Sequence, residues 1–209
     1  MVGRFEASKR NTCQTAPVRR RRRLSKRQEF VRGMDAIYIV AAILVVYMMF
    51  FRIVVVIGPS MYDTLIQGDR LLLVSSVVYH EPKQGDIVVC SKDSFDNGQC
   101  FIKRVIATEG QSVYIDFDTG TVKVDGQVLD EPYLYSSTKR PEGVSFPLVV
   151  GEGQVFVMGD NRMRSTDSRD PSIGLVDERE ILGKAIYLIS PGDNGGKEQV
   201  RWGRIGWIG

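Results

Sequence analysis

Three stretches of this sequence carry side chains that could do chemistry together. They are Gly58-Pro59-Ser60-Met61-Tyr62-Asp63-Thr64-Leu65, Phe101-Ile102-Lys103-Arg104-Val105-Ile106, and the polar run Gly159-Asp160-Asn161-Arg162-Met163-Arg164-Ser165-Thr166-Asp167-Ser168-Arg169. A serine hydroxyl is a poor nucleophile until a base removes its proton. The one histidine, His80, stands in Val78-Tyr79-His80-Glu81-Pro82-Lys83 beside no serine or cysteine motif, and reads as a surface loop residue. The candidate bases are then carboxylates and lysines. A lysine is useless as a base at neutral pH unless its charged form is disfavoured, which burial among apolar groups achieves by about 3 pKa units or more. Strand alternation puts Phe101, Lys103 and Val105 on one face, with Ile102, Arg104 and Ile106 on the other. Lys103 is desolvated if its face is the core, and solvated if the strand lies at an edge.

The polar run follows the apolar residues Val155-Phe156-Val157-Met158. Its many hydrogen-bonding groups can satisfy one another and fix one conformation. Asp167 with Arg169, or Asp160 with Arg162, can pair as buried ions; a solvated loop has the same composition.

The elements that position these residues begin with a basic arm. The chain has 209 residues and a formal net charge of +3, with Arg19 to Arg23 an unbroken arginine run. Residues 1–35 read as a basic tail, and without it the chain is net acidic. Ala36 to Ile57 is apolar apart from Arg52, and as a helix it spans about 33 Å, enough for a ~30 Å hydrocarbon core. Arg52 can snorkel to the interface. The stretch is too long for a cleavable signal peptide and lacks a small-residue cleavage site before Pro59. The arginine run predicts a cytoplasmic N-terminus, leaving residues 58–209 on the outer side.

Beyond Ser60 the pattern turns to short β-type runs at 70–74, 86–90, 101–107, 112–117, 121–124, 154–158 and 184–189. Between them stand turn signals such as Asp118-Thr119-Gly120 and Asp125-Gly126. This predicts a mostly β, antiparallel catalytic core with a smaller β insertion at about 110–151. Asp177 to Leu182 is compatible with one helical turn. Cys90 and Cys100 flank a turn-rich stretch, so two strands joined there could bring them within disulfide reach; the alternative is two thiols. Cys13, Cys90 and Cys100 form no CxxC and have no histidine partners, so neither metal nor cofactor is expected.

Pro59-Ser60-Met61 with Thr64-Leu65 and Gly68-Asp69, then Lys103-Arg104-Val105-Ile106, then Gly159-Asp160-Asn161-Arg162 with Ser165, Asp167, Ser168 and Arg169, resemble the ordered boxes of bacterial type I signal peptidases. Pro82 and Gly85-Asp86-Ile87-Val88-Val89 between them fit too. The resemblance covers the span and nearly all of the outer portion. It implies a membrane-bound serine endopeptidase that removes signal peptides from secretory preproteins with a Ser-Lys dyad. Ser60 matches the nucleophile, Lys103 the general base, and Ser165 the hydroxyl that helps orient the amine. Asp167 and Arg169 match the pair bracing the site, and Asp160 and Arg162 belong to the same box. Gly58 and Ser60 mark the oxyanion region. Preproteins with small residues at the first and third positions before the cut are the implied substrates. Membrane lipid and the secretion machinery are further implied partners, and nucleic acid is not one.

The sequence departs from that pattern at Asp63, where the family usually has proline. It departs again at Ala107, Glu109 and Gln111, where Gly, Pro and Asp are more frequent. Gly58 takes a position where some members carry a serine, so an oxyanion would rely on main-chain N–H groups. Other readings are a catalytically silent or specialised homologue that assists assembly of secreted or pilin-like proteins, and a self-cleaving regulator with its arginines on nucleic acid.

Overall fold

The computed structural model describes residues 26–95 and 98–208. The arginine run, Cys13 and most of the basic tail lie outside the described residues. α1 spans Lys26–Phe50. Within it Val31–Phe50, 20 residues, is long and apolar enough to cross a membrane. Its apolar side chains, Ile37 to Met49, are exposed.

The helix ends earlier than the apolar run. Phe51–Val55 form a strand, β1, instead of two further helical turns. The residues explain the switch. Ile53 to Ile57 are β-branched without interruption, which restricts χ1 in a helix but suits a pleated surface. Val54 and Val56 then pack into the cluster containing Leu71 and Leu73. Arg52 therefore sits on a strand rather than in the last turns of a span.

The remaining strands are β2 (Arg70–Ser75), β3 (Ile87–Ser91), β4 (Cys100–Thr108), β5 (Ser112–Asp116), β6 (Thr121–Val124), β7 (Gln127–Val128), β8 (Leu148–Val149), β9 (Gln154–Met158), β10 (Val176–Asp177), β11 (Ile181–Ser190) and β12 (Gly206–Trp207). They form two antiparallel sheets. The larger runs β1-β2-β11-β3-β4-β9-β10, with β12 on β11; the smaller runs β7-β6-β5-β8. The small sheet falls inside the predicted insertion, and Asp118-Thr119-Gly120 and Asp125-Gly126 turn its hairpins. The helical turn predicted at 177–182 is a short 3-10 turn, Glu178–Glu180, capped by Asp177. It gives way to β11 because Ile181 and Ala185 belong to the core.

Apolar residues segregate by face. Leu71, Leu73, Ile87, Val89 and Leu188 make one cluster with Met61 and Leu65. Val88, Phe101, Val105, Val155 and Val157 make the second. A third, with Ile106, Phe156 and Met158, joins the large sheet to Val113, Ile115 and Val122 of the small one. The lysine strand thus has packed residues on both faces.

The proposed Cys90–Cys100 bond is absent, and both thiols are free. In the β3–β4 register Cys90 faces Phe101 and Ser91 faces Cys100. Cross-strand partners share a face, so Cys90 points into the core and Cys100 to the opposite side.

Candidate active site

The turn carrying Ser60 is held from both ends. Gly58 enters it with φ +87°, a conformation that favours glycine. Met61 and Leu65 then bury their side chains in the core. The Asn161 N–H donates to the Ser60 carbonyl oxygen at 3.0 Å, and Asn161 Nδ2 to the Pro59 carbonyl at 3.2 Å. A Cβ at Gly159 would collide with Ser165 Oγ and the Ser60 carbonyl oxygen, so only glycine lets the two segments approach this closely. The polar run is therefore a structured wall of the site, not a solvated loop.

β4 delivers Lys103 to the same place. Its ammonium nitrogen is 2.9 Å from Ser60 Oγ, and the residue is 4 % exposed. Phe101 and Val105, its neighbours on the strand face, are buried beside it. Desolvation pushes the Lys103 amine below the usual lysine range, against the opposing pull of the Asp167 charge. An amine lowered this way beside a hydroxyl can take its proton.

Asp167 and Arg169 form a fully buried pair. Arg169 Nε donates to Asp167 Oδ1 at 2.7 Å and Arg169 Nη2 to Oδ2 at 2.8 Å. Ser165 Oγ donates to Asp167 Oδ2 at 2.7 Å, and the Gly159 N–H to the same oxygen at 3.1 Å. Burial alone would raise the Asp167 carboxyl; the bonds and charge of Arg169, with the Ser165 hydroxyl, outweigh it and hold the group below the usual range. Among the described residues the hydrogen bond of Lys103 Nζ goes to Ser60, and Ser165 gives its proton to Asp167.

Asp160 and Arg162 do not pair with each other. Asp160 accepts two bonds from Arg104, at 2.9 and 2.8 Å, while Arg104 lies 4.0 Å over the Tyr133 ring. Arg162 reaches the other way, to Glu131, Thr138 and the Gly159 carbonyl. The reason is direction: Asp160 faces β4, whereas the 3-10 turn at Arg162–Arg164 turns the next arginine toward the 131–138 segment. Arg104, Glu131 and Thr138 were missed as supports. Arg104 stood beside Lys103 without a visible partner, and Glu131 and Thr138 lie in an irregular stretch that gives no local signal.

Beside Ser60 and Lys103 runs a mostly apolar groove of about 700 Å³. Val54 to Ile57, Met61, Phe101, Ile102 and Leu182 line it. Asp63, Glu109 and Gln111, three of the departures from the resemblance, have local partners, and Ala107 is buried in the third core cluster. Asp63 is half exposed and pairs with Arg201 at 2.8 Å. Glu109 accepts from the Gly153 N–H at 2.9 Å, and Gln111 bonds Thr108 and Asp125, so these side chains fasten the end of β4 to its surroundings. His80 is exposed.

The sequence profile described as signal peptidase, peptidase S26, matches residues 28–189. A probable signal peptidase I-1 of Synechocystis sp. is 40 % identical, over 71 % of this chain and 72 % of the relative. A signal peptidase I of Bacillus licheniformis is 37 % identical, over 64 % of this chain and 74 % of the relative. A signal peptidase I crystal structure from Enterococcus faecalis is 32 % identical, over 50 % of this chain and 96 % of that one, with a TM-score of 0.41. On the profile match and the identity with its relatives, the chain belongs to the signal peptidase family, peptidase S26.

Proposed function

We propose that this peptidase removes N-terminal signal peptides from secretory preproteins, with Ser60 as nucleophile and Lys103 as general base. The observation that carries the reading is the 2.9 Å contact between Lys103 Nζ and Ser60 Oγ in an apolar, buried setting. Neutral Lys103 takes the Ser60 proton as Oγ attacks the scissile carbonyl. Among the described residues the Ser60 N–H has no intramolecular acceptor, which leaves it free for the oxyanion beside Gly58. The ammonium of Lys103 then protonates the departing amine, the N-terminus of the mature protein. An acyl group remains on Ser60 until Lys103 activates a water that releases the signal peptide carboxylate. Ser165, Asp167 and Arg169 hold the surroundings of the amine, and Asp160 and Arg162 brace the same loop through Arg104 and Glu131. The apolar lining of the groove suits an extended peptide with apolar side chains next to the cut.

The protein is membrane-anchored through α1, so enzyme and preprotein share one membrane and their effective concentration rises. Lipid is thus a partner, and the secretion machinery that delivers preproteins is a further one. The basic tail lies in the cytoplasm and the two sheets on the outer side. Cleavage of one preprotein by the full chain in vesicles, with Ser60→Ala alongside, tests the activity. Protease added outside spheroplasts is expected to digest the C-terminal portion and spare the tail before Arg32. Digestion of the tail alone reverses the topology.

The Asp63 departure leaves the base unaffected in this reading. Its carboxylate is exposed and engaged by Arg201, and an exposed charge is screened within about 10 Å at ordinary salt. Asp63→Asn is expected to leave the acid limb of kcat/KM in place on a peptide substrate. A downward shift of about one unit, worth about 1.4 kcal/mol, would mean that Asp63 acts on Lys103 after all.

A further inference from the structure

Glu142 lies between β7 and β8, outside every motif named so far. Its side chain is 2 % exposed, yet neither carboxylate oxygen has a hydrogen-bond partner among the described residues. A carboxylate in that state is costly unless nearby charge compensates it. Two arginines supply the charge. Glu142 Oε1 is 4.0 Å from Arg169 Nη2 and 3.5 Å from Arg140 Nε. The backbone on either side is laced to the same arginine: the Val144 N–H donates to the Arg169 carbonyl at 3.0 Å, and Arg169 Nη1 donates to the Arg140 carbonyl at 3.2 Å. Arg169 is thus held between two buried carboxylates, Asp167 on the side of the lysine and Glu142 on the side of the insertion.

We propose that Glu142 is a positioning residue for the reaction: as the second carboxylate on Arg169 it holds that guanidinium against Asp167, and its charge adds to the field in which Lys103 gives up its proton. This rests on the Ser60–Lys103 reading. The charged and titratable groups facing Glu142 are Arg169, Arg140 and Asp167, whose main-chain N–H also approaches the carboxylate but falls short of a hydrogen bond. The titratable groups acting on Lys103 are Asp167, Cys90, Arg169 and, most weakly of these, Glu142 by way of its place behind Arg169, with the Ser60 hydroxyl in contact. A negative Glu142 favours the ammonium form of Lys103, so removing the charge must make the amine easier to deprotonate. Arg140 works in the opposite sense. It is half exposed, and without it the field of Glu142 is less compensated.

The test is kcat/KM against pH for the full-length protein in detergent, on one signal-peptide substrate. Glu142→Gln keeps the shape and removes the charge; its acid limb is expected about 0.5 pH unit below that of wild type. Arg140→Gln is expected to move the limb upward by less, because its half-exposed guanidinium is screened and acts only through Glu142. An unmoved or raised limb in Glu142→Gln overturns the proposal even if the rate falls, because lost packing alone changes the rate and not the limb. If the Gln variant does not fold, Arg140→Gln decides, and an unmoved limb there overturns the proposal. Turnover by Ser60→Ala would bring down the dyad and this proposal together. Inactive Ser60→Ala with an unmoved limb in Glu142→Gln brings down this proposal alone.

Discussion

Ser60→Ala and Lys103→Ala should each lower kcat/KM by about 10⁴-fold or more, and the double variant should be no worse than either single one. The non-additivity follows from the geometry. Lys103 Nζ and Ser60 Oγ are one hydrogen-bonded unit, so each group loses its use when the other is gone. Lys103→Arg should fail as well. A guanidinium stays charged at any working pH and cannot act as a base. Lys103→Ala should remain folded, since it removes a costly buried amine and leaves a small cavity among apolar neighbours. Single-turnover cleavage of a preprotein by the purified variants is the measurement. Appreciable turnover by either single variant would sink the dyad assignment.

Asp167→Asn should be the most damaging change outside the dyad. The substitution keeps the volume but removes the charge that compensates Arg169, a fully buried guanidinium. Breaking a buried pair by removing one partner costs about 3–5 kcal/mol. Glu142, 4.0 Å from Arg169, cannot replace two bonds shorter than 3 Å. The pH dependence has a definite sign. The folded Asp167 carboxyl lies below its unfolded value of about 3.9, so its stabilisation is fully present above that pH. It is lost as pH falls through the folded value. Wild type should therefore lose this contribution only in strong acid, and the difference from Asp167→Asn should shrink there. Thermal unfolding of both proteins in detergent at neutral and acidic pH checks it. A difference under about 1 kcal/mol at neutral pH would mean that the loop is held by its backbone bonds and not by the ion pair.

Much of the architecture was legible because it depends on short-range pattern. Short apolar β-type runs marked β2, β3, β4 and β9, and turn residues marked the hairpins of the small sheet. Ser60, Lys103 and the polar run could be picked out because their types are unusual for their surroundings. The fate of Ile53 to Ile57 could not be read in the same way. A β-branched apolar run satisfies both a span and a strand, and only the unpaired edge of β2 and the Leu71–Leu73 cluster decided for the strand.

What the sequence by itself determined is the set of candidate groups, Ser60, Lys103 and the polar run, and the alternation that puts Lys103 on the face of Phe101 and Val105. What only the tertiary structure decided is which groups meet. Arg104 takes Asp160 and Arg162 takes Glu131, partners far apart in the chain. Cys90 and Cys100, close in sequence, are kept apart by a one-residue offset in register. Glu142 reaches Arg169 from a segment without any periodic signal. The physical reason is common to all of these. Local pattern fixes the direction of a side chain relative to its own strand, whereas the partner of a buried charge depends on which strands pair and in what register.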